Sequence, residues 1–114
     1  MTAKEISNTI TNCLVLGLDE ERIGKRHIED AIDSLVPLLG AVATLERDTE
    51  YRLLVKSEEG INACTVSGER LKIKWVESFT SKEKALHTES KRLSKSLDMA
   101  LSALQSRLRV IDLT

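Results

Sequence analysis

The chain has 114 residues and a net charge of -1, with 41% hydrophobic and 31% charged residues. That composition excludes an intrinsically disordered segment and is enough for one domain with a real core. With Tyr51, Trp75 and Phe79 as its only aromatics, the core has to be built from Leu, Ile, Val and Ala.

At the N-terminus, Thr2-x-x-Glu5 has the form of a capping box, and Met1 and Ile6 sit where a hydrophobic staple would place them. Ile6, Ile10, Cys13 and Leu14 follow at helical spacing, with Gly17 as the expected C′ residue, which predicts a helix over about 3–16. No signal-peptide pattern is present, and the apolar run Cys13–Leu18 is far too short for a membrane span. Cys13 and Cys64 lack a CxxC context and read as two reduced thiols of a cytoplasmic protein.

A second helix is predicted over about 19–45, capped by Asp19, stapled by Leu18 and Ile23, and carrying Ile28, Ile32, Leu35, Leu39 and Val42. Pro37 predicts a kink or a break near Ser34–Val36. The Cys13–Gly17–Ile23 spacing has some likeness to a helix-turn-helix. Arg26 at a normally apolar position and the Asp19-Glu20-Glu21 acids argue against it.

Residues 50–78 admit a period of two. Taking Glu58-Glu59-Gly60 and Gly68-Glu69 as turns predicts strands over about 50–57, 61–67 and 70–78. Both hairpins then agree on one apolar face, from Tyr51, Leu53 and Val55 to Leu71, Ile73 and Trp75. The opposite face gathers Arg52, Lys56, Arg70, Lys72 and Lys74 as a contact surface for an acidic partner or a phosphate backbone. No aromatic ring is left on that face to stack a base.

A last helix is predicted over about 81–109, opened by Thr80-x-x-Glu83. Leu86, Leu93, Leu97, Ala100, Leu104, Leu108 and Ile111 fall on one arc. At roughly 45 Å it should overhang a globule whose radius of gyration would be about 13 Å. A second copy of the chain is the expected cover, through Leu97, Leu101, Leu104, Leu108 and Ile111.

The whole predicts a single α+β domain over residues 1–114: two helices, a three-stranded antiparallel meander and a long C-terminal amphipathic helix. No nucleotide-binding, nucleophile-elbow or metal-ligand spacing occurs, and His27 and His87 stand alone. Glu29, Asp30 and Asp33 read as a solvated acidic face. No cofactor or metal is therefore expected. Acids outnumber bases ten to five in residues 1–50, whereas bases lead seven to four in 80–114. The expected function is a non-enzymatic interaction, regulatory or adaptor module that binds itself and another protein, with no membrane association. A nucleic-acid-associated protein using the basic sheet face is the alternative, and a small enzyme with an unadvertised site comes third.

Overall fold

In the computed structural model, residues 2–18 and 24–113 are described, and every regular element among them is helical. The order is α1 (Ala3–Leu18), α2 (Lys25–Ala63), α3 (Glu69–Phe79) and α4 (Ser81–Leu113). The expected α+β fold with a β-meander is therefore incorrect. The molecule is a rod of 67 × 23 × 18 Å with a radius of gyration of 19.8 Å.

One end is a three-helix bundle. Ile6, Ile10 and Cys13 of α1 meet Ile28, Ala31, Leu35, Leu38 and Val42 of α2 and Leu93, Leu97, Ala100 and Leu104 of α4. These positions recur every three or four residues, so each helix offers one continuous stripe to the others. Burying each such side chain contributes about 1.5–3 kcal/mol. The start of α1 is as expected: the Glu5 amide donates to Thr2 Oγ1 at 3.2 Å, and Ile6 is fully buried. The helix continues through Gly17, which is not its terminator. The Asp19 cap and the Leu18–Ile23 and Met1–Ile6 staples involve residues or side chains outside those described.

α2 passes through Pro37 without a break and runs to Ala63, well beyond the expected end near residue 45. This extension is the main departure from the sequence reading. Residues 50–63 alternate apolar and polar side chains in places, but Leu53, Lys56 and Gly60 also lie one helical turn apart and face inward. Glu, Lys, Leu and Arg make up half of the segment and favour helix. Gly60, read as a turn, is buried in the helix because a Cβ there would lie 2.9 Å from Phe79 Cδ1. It permits close approach and does not reverse the chain.

The true break lies just after it. Cys64–Ser67 have no regular structure, and Gly68 takes φ +97° before α3 begins. Any other residue at Gly68 would be strained. α3 returns the chain beside the end of α2, and Thr80 links it to α4. Thr80 is not the side-chain cap that Thr80-x-x-Glu83 suggested: its Oγ1 donates back to the Val76 carbonyl at 2.8 Å, while its own carbonyl accepts from the Lys84 amide.

α4 does not overhang. Its 33 residues lie beside the 39 of α2, so the two form the rod together. Leu97 and Leu104 are fully buried in the monomer core, and Leu101, Leu108 and Ile111 pack partly buried against it. Two residues of the expected contact with a second copy, Leu97 and Leu104, are thus covered within one chain.

Candidate functional site

Beyond Leu45 the interior changes character. The next layer between α2 and α4 is polar: Thr49, His87 and Ser90 are all buried. Thr49 Oγ1 lies 3.1 Å from His87 Nδ1 and 3.0 Å from Ser90 Oγ. Thr49 also donates to the Glu46 carbonyl at 3.0 Å and Ser90 to the His87 carbonyl at 2.7 Å. With both hydroxyl protons directed at carbonyls, the Thr49–His87 contact is satisfied when Nδ1 carries the proton and donates.

This is a Ser-His neighbourhood without catalytic geometry. Ser90 is fully buried and its Oγ points to Thr49 and its own helix, so no substrate atom can reach it. The cluster fixes the register of α2 against α4, since a slip along either helix would strand buried polar groups. Thr49→Val keeps the side-chain shape but removes the shared oxygen. The expected cost is about 1–3 kcal/mol, read from urea unfolding.

The far end of the rod has little interior. Trp75 and Phe79 stack at 4.9 Å with planes 16° apart, and Lys56 Nζ sits 4.7 Å from the Phe79 ring centre. Lys56 also pairs with Glu59 at 3.6 Å. Phe79 is thus held between an indole, an ammonium and the bare backbone of Gly60. α3 has no fully buried residue, while its Leu71 and Ile73 are each 56% exposed. A groove of about 370 Å³ opens between α3 and the end of α2, lined by Ile61, Cys64, Ile73 and Val76 with Lys72 and Glu77 alongside.

The five basic residues do not make one surface. Arg52 and Lys56 lie on α2, whereas Arg70, Lys72 and Lys74 lie on α3. Two residues apart on a helix is about 200°, so Lys72 points away from Arg70 and Lys74. The like-charged face of the expected sheet is dispersed, with Lys56 committed to Glu59 and Phe79.

Among the described residues no group of three His, Cys, Asp or Glu side chains could hold a metal ion. His27, Glu29, Asp30 and Asp33 are exposed on α2. Both cysteines are free. Burial pushes the Cys13 thiol up, which keeps it protonated and a poor nucleophile. No helix among the described residues is long and apolar enough to cross a membrane. No protein-family model, curated protein or solved structure matches the chain.

The polar layer and the groove were both missed in the sequence. His87 and Ser90 are in phase with Leu93 and Leu97 on α4, three or four residues apart. That phase was the available signal for burial. The groove had none, because reading residues 50–78 as strands assigned Ile61 and Ile73 to opposite faces of a sheet.

Proposed function

We propose that the chain is a non-enzymatic interaction module that docks a helix of a protein partner in the groove between α3 and the end of α2. The observation that carries this reading is α3 itself. An isolated helix of 11 residues is marginal in water, and this one has no fully buried side chain while exposing Leu71 and Ile73. A partner helix laid along Ile61, Ile73 and Val76 would supply the missing burial, with Lys72 and Glu77 available to set its orientation. The rest of the rod offers a rigid support, and its buried Ser and His have no access to a substrate. Two free cysteines support a reducing, cytoplasmic compartment. The basic residues supply no common face that would favour nucleic acid over protein.

Ile73→Asp is expected to leave helix content and thermal stability nearly unchanged, because Ile73 is more than half exposed. It should abolish partner docking. A photo-crosslinking residue at Glu77, which lines the groove with Ile73, introduced in the cells of origin, should give a discrete adduct that disappears in the Ile73→Asp background. An adduct that survives that substitution would place the docking surface elsewhere.

A further inference from the structure

The outer face of α2, away from the core stripe, carries a second pattern of its own. Val36, Ala43, Leu54 and Ile61 are exposed on it, and Arg47 and Glu50 lie between them. With Gly40 and Ser57 at the two remaining positions, their spacings follow the three-and-four alternation of a helix-pairing seam. Over about 37 Å the seam is symmetric about a point midway between Asp48 and Thr49. Val36 is as far from that point as Ile61, Ala43 as far as Leu54, and Arg47 as far as Glu50.

We infer that this face pairs with the same face of a second copy, antiparallel about a two-fold axis through that point. In an isologous pair every residue meets its mirror position. Val36 then packs on the partner's Ile61, and Ala43 on the partner's Leu54. Across the axis Arg47 meets the partner's Glu50 twice, once on each side, so the central layer closes four charges of alternating sign. A parallel pair would instead set Arg47 against the partner's Arg47 and Glu50 against the partner's Glu50. Charge therefore selects the antiparallel arrangement. Neither Arg47 nor Glu50 takes part in the Lys56–Glu59 ion pair. Gly40, one turn from Val36, has nothing within 4 Å of where a Cβ would stand, so the helices can approach closely there. The pairing rests on the reading of the chain as an interaction module; it shares Ile61 with the α3 groove, so a docked helix and a second copy compete there, but it leaves Ile73 and Val76 free.

Sedimentation velocity on the full chain, from micromolar to several hundred micromolar, tests this with charge exchange. The wild type is expected to show a sedimentation coefficient that rises with concentration to that of a dimer. Arg47→Glu and Glu50→Arg, each alone, set like charges across the axis and should weaken association by at least about tenfold. Arg47→Glu/Glu50→Arg together restore opposite charges and should recover the dimer. A wild type that stays monomeric throughout, or a double variant that fails to recover while still folded by circular dichroism, overturns the pairing. Ile73→Asp should dimerise like the wild type, so loss of partner docking and loss of self-pairing are separable.

Discussion

Leu104→Ala is expected to lower the unfolding free energy by about 3 kcal/mol, within the range of roughly 2–5 kcal/mol for Leu-to-Ala changes at well-packed sites. Leu104 is completely buried where α4 meets α1 and α2. Removing its side chain loses the transfer free energy of three carbons and leaves a cavity that three packed helices cannot fully close. Urea unfolding followed by far-ultraviolet circular dichroism measures the change. At a slope of about 1.5 kcal/mol per molar urea the midpoint should move by about 2 M. A shift under about 0.5 M would mean that Leu104 is not in the monomer's core. It would also revive the view of this residue as an exposed partner contact, since a solvent-facing leucine loses little when truncated.

Gly60→Leu should release α3 while leaving the three-helix end folded. The first added carbon already stands 2.9 Å from Phe79 Cδ1, and the remaining three would require the ring to leave. Overpacking of this kind costs about 1–3 kcal/mol. Since α3 has no fully buried residue to hold it, that cost falls on its docking more than on global stability. Exchange of the α3 amides should rise by about tenfold or more, and the fluorescence of Trp75, the only tryptophan, should shift to the red as its stack with Phe79 is lost. Gly60→Ala is the milder comparison, in which a helix-propensity gain of up to about 1 kcal/mol offsets part of the clash. Unchanged α3 exchange in Gly60→Leu would show that Gly60 and Phe79 are not in contact.

The sequence reading succeeded where the apolar period was long and unambiguous. The stripes Ile6–Ile10–Cys13 and Leu93–Leu97–Ala100–Leu104 were legible as helical faces, and both form the core. It failed over residues 50–78, where short apolar runs fit a period of two and a period of three to four alike. Glu58-Glu59-Gly60 and Gly68-Glu69 looked like equivalent turns. Only Gly68 adopts the positive φ that a glycine break requires, and Gly60 serves a close approach that only tertiary structure reveals. The two hairpin registers share the same apolar positions, so their agreement does not separate a strand from a helix. A long α4 overhangs only a compact body, and here α2 is longer still and the body is a rod. Of the residues assigned to a dimer through α4, Leu97 and Leu104 are in phase with the core and buried within one chain, while Leu101, Leu108 and Ile111 are half-buried beside it.

The groove exists only if residues 50–63 and 69–79 are two helices meeting at Gly60 and Phe79. Backbone chemical shifts with nuclear Overhauser contacts test that most directly. The expected result is helical Cα shifts through Glu50–Ala63 and Glu69–Phe79, interrupted at Cys64–Gly68, with contacts from the Gly60 α-protons to the Phe79 ring. Extended-chain shifts over these segments, with cross-strand contacts such as Leu53 to Cys64, would contradict the fold and remove the docking surface with it.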